Sequence, residues 1–208
     1  MKLINNWCSK LAVSLNLTEE QRDVIIFGAE SAISVLYSFL LTLLVSWVFG
    51  VADIMLMVYA SFAIMKSFAG GAHCKTMTNC AIFSAISFTG SAKLVELFPD
   101  FFTFYGKLIL LFTFVLSLVL YILWAPGQVP EKPISKEYGK ILRKRTFISL
   151  VFLTLILGLI HLLHPPFAYP LVGASCIGIV MQSLAITPLG YKLMDNIDFI
   201  LTRILQRR

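Results

Sequence analysis

Residues 106–124 read GKLILLFTFVLSLVLYILW and decide the class of fold. After Lys107 the stretch carries no charge, and a helix needs roughly 20 such residues to cross a hydrocarbon layer of about 30 Å. The whole chain has this character, since 58% of its 208 residues are hydrophobic and only 13% are charged, against about 25% charged in soluble domains. We therefore predict an all-α integral membrane protein, with residues 1–208 forming one membrane domain.

Further apolar segments predict about six membrane-spanning helices in all. The predicted spans are residues 25–49, 52–68, 80–98, 106–124, 146–163 and 167–187. Turn signals separate three pairs of them. These signals are Gly50 with Asp53, Pro99-Asp100, and His164-Pro165-Pro166. Ahead of the spans, residues 1–17 place apolar and polar side chains on opposite helical faces, which predicts an amphipathic helix lying in the membrane interface.

The basic residues predict how these helices are oriented. Of the 17 Lys and Arg residues, only Lys93 and Lys107 lie outside four segments. Those segments are 1–24, 66–79, 125–145 and 188–208. Positively charged connections stay on the inner side of a membrane. Both termini, a basic loop at 125–145 and a basic tail at 188–208 are therefore predicted to be cytoplasmic.

A glycine pair, a histidine and a cysteine at the inner end of a span form the candidate active site. Gly70-Gly71 precedes His73, and Cys80 follows seven residues after the histidine. A thiol and an imidazole are the minimum parts of a cysteine-nucleophile site. On one straight helix they would stand about 10 Å apart, whereas proton transfer needs roughly 2.6–3.2 Å. Glycine permits a positive φ and ends helices, so the pair should place His73 on a loop that can fold back to Cys80.

The next helix is expected to begin close to Cys80, with Thr78 or Asn79 as its cap. A cysteine in a first helical turn is favoured as a thiolate by the helix dipole. The free N–H groups of that turn could also stabilise a tetrahedral oxyanion. Residues 66–80 are thus the predicted catalytic loop and helix start.

Other interpretations of these residues stay open at this point. Cys80 could be a packing residue and His73 a solvated one, and Cys74 is a second candidate nucleophile. A metal site made of His73, Cys74 and Cys80 lacks an evident fourth ligand, so no metal or cofactor is expected. His161 falls on the opposite side of the membrane and cannot partner Cys80.

The stretch of residues 66–76, KSFAGGAHCKT, followed by Cys80, resembles the signature of the accessory gene regulator B family. A second patch, Ala125-Pro126 with the basic run after residue 131, resembles the family's cytoplasmic loop. The family consists of membrane cysteine endopeptidases of bacterial quorum sensing. The resemblance implies removal of the C-terminal tail of a small precursor peptide at the inner face of the cell membrane. It also implies His73 as general base, Cys80 as nucleophile, and a thioester that can be displaced to close a lactone or thiolactone ring.

Several accessory residues are candidates beside that pair. Lys66 stands where the family usually has Arg, and it keeps the charge but loses the bidentate fork. Glu30 is the only acidic residue well inside a predicted span, and ionisable residues within a membrane usually have a functional role. The basic run Arg143, Lys144 and Arg145 could dock an acidic peptide tail, or could only reflect topology and attraction to anionic lipid.

Two other classes of function are alternatives. A small transporter or channel should carry several charged residues deep in its spans or paired broken helices, and a non-catalytic membrane adaptor would not need the glycine-histidine loop. Nucleic acid is not an expected partner, because the basic residues are explained by the inner side of the membrane. Gly158, Gly173 and Gly178 could let helices approach closely, which hints at a homodimer.

Overall fold

The computed structural model describes residues 17–127, 135–163 and 165–206, and in these ranges the chain forms seven α-helices. They are α1 (Glu19–Val48), α2 (Ala52–Ala69), α3 (Met77–Leu97), α4 (Pro99–Trp124), α5 (Lys136–Leu163), α6 (Pro165–Ala185) and α7 (Pro188–Gln206). The all-α prediction is confirmed. The interfacial helix predicted over residues 1–17 lies outside the described residues except for Leu17, as do residues 128–134 of the predicted basic loop.

Five helices, α1 to α5, are long and apolar enough to cross a membrane. Residues 170–185 of α6 and 188–204 of α7 meet at an angle of 90°, and together they would count as a sixth, bent span. The chain is therefore a multi-pass membrane protein. Most of the segment predicted as a basic tail, residues 188–208, forms the amphipathic helix α7, which lies at 90° to α6.

Helix α6 lies at the centre of the bundle and packs mainly against α2 and α4, while α1 packs mainly against α3. Two glycines of α6 make this approach close. A Cβ on Gly173 would collide with the ring of Phe102, and one on Gly178 would collide with Ser61. These two glycines, considered above as surfaces for self-association, thus serve contacts within the chain. Small residues at helix interfaces are the usual means of close packing in lipid.

Two predicted helix boundaries are wrong. Pro99-Asp100 is not a turn but the first turn of α4, and only Phe98 separates α3 from α4. Proline suits the first position of a helix because the N–H that it lacks would have no partner there. Helix α3 begins at Met77 rather than near Cys80. The candidate nucleophile is therefore the fourth residue of the helix and not one of its first residues.

Candidate active site

The glycine pair ends α2 as predicted. The helix stops at Ala69, and Gly70 and Gly71 have φ values of 68° and 117°. A Cβ on Gly70 would lie 2.7 Å from the carbonyl oxygen of Gly127, and the N–H of Gly127 donates to the Ala69 carbonyl over 2.8 Å. Only glycine fits this crossing of two backbones, because both the conformation and the space exclude a side chain.

The end of α6 holds the same loop from its other side. The Gln182 side-chain amide donates to the Gly70 carbonyl at 2.6 Å, and the Ala72 N–H donates to the Ala185 carbonyl at 3.0 Å. The loop that carries His73 is therefore fixed by residues more than 50 positions away in sequence.

Helix α3 is capped by Thr76, not by Thr78 or Asn79. The Thr76 hydroxyl accepts from the Asn79 N–H at 3.2 Å, and the Thr76 carbonyl accepts from the Cys80 N–H at 3.0 Å. Cys80 therefore lies at the end of the first turn. Its own N–H is already bonded within the helix and is not available to a substrate oxyanion.

His73, Cys74 and Cys80 line one cavity of about 470 Å³, between α1, α2, α3 and the junction of α6 with α7. Most of its wall is apolar or aromatic, and hydroxyl groups of α1 and α3 line part of it. The aromatic residues are Tyr59, Phe62, Phe83 and Phe88, and the hydroxyl groups belong to Ser34, Ser38, Ser84 and Ser87. An apolar chamber with few polar groups is typical of a binding site.

The ring of His73 is exposed, and its Nδ1 lies 3.0 Å from the carbonyl oxygen of Cys74. A carbonyl can only accept, so Nδ1 carries the proton and Nε2 is the basic nitrogen. Among the described residues no hydrogen bond joins His73 to Cys80. Catalytic hydrogen bonds are often long in an empty site and tighten when substrate binds.

The two cysteines of the cavity differ in their roles. Both are free thiols, with Cys74 buried and Cys80 half-buried. A hydrogen bond to Cys80 and then burial raise the pKa of Cys74 well above its usual range. Cys74 therefore stays protonated, which favours Cys80 as the nucleophile.

Lys66 also belongs to the cavity. Its Nζ donates to the Ala72 carbonyl at 3.1 Å and lies 5.3 Å from the centre of the Phe62 ring. Its charge acts on the sulfurs of both Cys74 and Cys80. When Lys66 is protonated, its ammonium group favours a thiolate and an oxyanion over their neutral forms.

The remaining candidate residues lie outside the cavity lining. Glu30 is half-buried on α1, one helical turn before Ser34. Arg143 donates to the Ile122 carbonyl at 2.8 Å and so covers the end of α4. Arg143, Lys144 and Arg145 are all exposed.

Two residues that matter for the loop carry no distinctive signal in the sequence. The Asn79 amide lies 2.9 Å from the carboxylate of Asp198, which is buried on α7. The amphipathic pattern of α7 is the one signal available, because it places Asp198 on the same face as Met194 and Leu201.

Among the described residues no group of His, Cys, Asp and Glu side chains could hold a metal ion.

The chain is similar to proteins of one bacterial family along nearly its whole length. It matches the model of accessory gene regulator B over residues 4–186. An AgrB-like protein of Clostridium perfringens (strain SM101) is 23% identical over 205 residues, covering 94% of this chain and 95% of that protein. The accessory gene regulator protein B of Staphylococcus aureus (strain JH9) is 22% identical, covering 92% and 96%. That of Staphylococcus intermedius is 24% identical, covering 91% and 96%. No solved structure gives a significant match.

Proposed function

The chain belongs to the accessory gene regulator B family, and we propose that it is a membrane cysteine endopeptidase that removes the C-terminal tail of a small autoinducer precursor peptide. The observation that carries the proposal is that His73 and Cys80 line one cavity, beside Cys74 and Lys66. A base, a thiol and a chamber for a peptide are the parts that this reaction needs.

In the proposed reaction, Nε2 of His73 takes the proton from the Cys80 thiol, and the thiolate attacks the carbonyl carbon of the scissile bond. The C–N bond breaks, the imidazolium gives its proton to the leaving amine, and the peptide stays on Cys80 as a thioester. Water, or a thiol or hydroxyl of the peptide, then displaces Cys80, and an internal nucleophile closes a thiolactone or lactone ring. Ring closure competes best where water is scarce, and the apolar walls of the cavity favour that condition.

The inner side of the membrane is the proposed side of this site. Lys75 follows the cavity-lining Cys74, Lys192 precedes the cavity-lining Leu193, and Arg143 covers the adjacent end of α4. Basic residues of the predicted inner segments thus gather at the end of the bundle where the cavity lies, which supports a cytoplasmic active site.

The proposal is tested by producing the chain in bacterial membranes with a cognate precursor peptide and weighing the products by mass spectrometry. Cys80→Ala and His73→Ala should each lose tail removal by at least about 100-fold, because nucleophile and base act as a unit. Cys176→Ala is the matched control, since Cys176 is a free, buried cysteine of α6 that does not line the cavity. Unimpaired cleavage by Cys80→Ala would refute the assignment.

A second measurement checks the covalent step. Wild-type protein quenched in acid during turnover should carry the mass of the processed peptide on the fragment that contains Cys80, and hydroxylamine should release it as expected for a thioester. An adduct on Cys74 instead would reverse the roles of the two cysteines.

A further inference from the structure

A buried carboxylate of the C-terminal helix binds both ends of the segment between the two active-site cysteines. Oδ1 of Asp198 accepts from the Asn79 side-chain amide at 2.9 Å and from the Lys75 N–H at 3.2 Å. The Asn79 amide also lies 3.0 Å from the Thr202 hydroxyl and 3.3 Å from the Asp198 carbonyl. Asp198 is 7% exposed and Asn79 is 1% exposed, so water competes little for these bonds.

The two residues that Asp198 binds are each adjacent in sequence to a cysteine of the cavity. Lys75 directly follows Cys74, and Asn79 directly precedes Cys80. A single carboxylate oxygen therefore binds both the loop that carries His73 and the helix turn that carries Cys80. Hydrogen bonds to an ionised buried carboxylate are about twice as strong as neutral ones, so this connection resists deformation of the site.

A neighbouring acid on the same helix offers a natural contrast. Asp195 contacts the Lys75 ammonium at 3.4 Å, but the two side chains are 66% and 73% exposed. Exposed ion pairs contribute little to stability. The two aspartates of α7 thus face the same lysine, one through a buried bond to its backbone and the other through a solvated pair.

We propose that Asp198 is a positioning residue of the peptidase site: by binding Lys75 and Asn79 together, α7 sets how closely His73 can approach Cys80. This inference rests on the proposed function. It assigns a role to a helix that lies beyond residue 186, where the match to the family model ends. Asp198 contacts no reacting atom and acts through Lys75 and Asn79.

The test compares Asp198→Ala with Asp195→Ala in the cleavage assay. Misplacement of a catalytic group by about 1 Å can cost roughly 100-fold in rate, so Asp198→Ala should lower kcat by about that factor while KM stays within about twofold. Asp195→Ala should match the wild type. Wild-type kcat in Asp198→Ala, or a loss confined to KM, would overturn the proposal.

Two further variants separate positioning from general loss of structure. Asn79→Ala should reproduce the kcat loss, and the double variant should cost no more than the larger single loss, because both changes remove the contact between Asn79 and Asp198. Losses that multiply would overturn the proposal. If Asp198→Ala does not accumulate in membranes, the isosteric Asp198→Asn should accumulate and lose about tenfold in kcat, because it keeps an acceptor without the charge. Wild-type kcat in that variant would overturn the proposal equally.

A readout independent of peptide cleavage distinguishes failure here from failure of the proposed function. The alkylation rate of Cys80 by iodoacetamide, followed by peptide mass mapping, should change at least threefold in Asp198→Ala and not in Asp195→Ala. If Cys80→Ala still cleaves the precursor, the peptidase assignment fails whatever Asp198 does. If Cys80→Ala is inactive and both aspartate variants alkylate and cleave like the wild type, only the positioning role fails.

Discussion

Two turns flank α2, and each contains a glycine with a positive φ, but only the second carries candidate catalytic residues. In the first turn the N–H groups of Gly50 and Val51 donate back into α1, to carbonyl groups at most five residues away. In the second turn Gly70 and Ala72 are bonded to Gln182 and Ala185 at the end of α6. The first turn therefore only reverses the chain, whereas the second is held in place by hydrogen bonds to another helix, α6.

The space around the two glycines differs in the same way. A Cβ on Gly50 would meet nothing within 4 Å, whereas a Cβ on Gly70 would lie 2.7 Å from the Gly127 carbonyl oxygen. Glycine is used at the first position for its conformation alone. At the second it is used for conformation and for close approach, which is the arrangement expected where a loop must hold a reactive side chain in place.

The largest expected effect comes from adding one methyl group at each glycine. Gly70→Ala should lower tail removal by at least about 100-fold, because the loop with His73 must move away from Gly127 to make room. Gly50→Ala should cost only the strain of a positive φ, about 1–2 kcal/mol of stability, and should keep wild-type kcat. The two variants are compared by product mass spectrometry at equal amounts of folded protein in detergent. Equal kcat for both would remove the distinction between the turns.

The sequence was sufficient to predict the helix break at Gly70-Gly71, because glycine acts through its own backbone and needs no partner to end a helix. It was not sufficient to choose the cap of α3, since Thr76, Thr78 and Asn79 are all good capping residues. The structure shows that Thr76 is the cap, and that the Asn79 side chain instead donates to Asp198, a contact distant in sequence.

The same difference between local properties and long-range contacts explains which other parts of the fold could be predicted from the sequence. The spans follow from apolar composition, which is a local property, and five of the helices pass that test in the structure. Pro99 was misleading because proline marks turns and first helical positions alike. The docking of α7 could not be predicted, because its amphipathic pattern shows that one face is covered but not by what.

A smaller effect concerns the thiols on the catalytic side of this comparison. The raised pKa of Cys74 keeps it protonated at neutral pH, and a protonated thiol is a poor nucleophile, so iodoacetamide should modify Cys80 well before Cys74. In Cys80→Ala the hydrogen bond that raises the pKa of Cys74 is lost while burial remains. The pKa of Cys74 should then fall, and its alkylation should become severalfold faster.

The control in the same sample is Cys176, which is buried in α6 away from the cavity. Its alkylation rate should be identical in the wild type and in Cys80→Ala. An unchanged rate at Cys74 would show that burial alone protects it, and Cys74 would then have no role as a donor to the nucleophile.

The smallest effect should come from surface charge at the two ends of the bundle. Arg143, Lys144 and Arg145 are exposed near the end of α4 that contacts the loop carrying His73, whereas Lys107 is exposed nearer the start of that helix. If the three residues attract an acidic peptide tail, neutralising them to Gln should raise KM a few fold and leave kcat unchanged. The difference should shrink as salt is added, because exposed charges are screened over about 10 Å at 0.1 M. Lys107→Gln should leave KM as it is.

A triple variant that inserts in the normal orientation and keeps wild-type KM at low salt would assign the three charges to topology alone. The peptide would then be selected by the cavity and not by the charged surface around it.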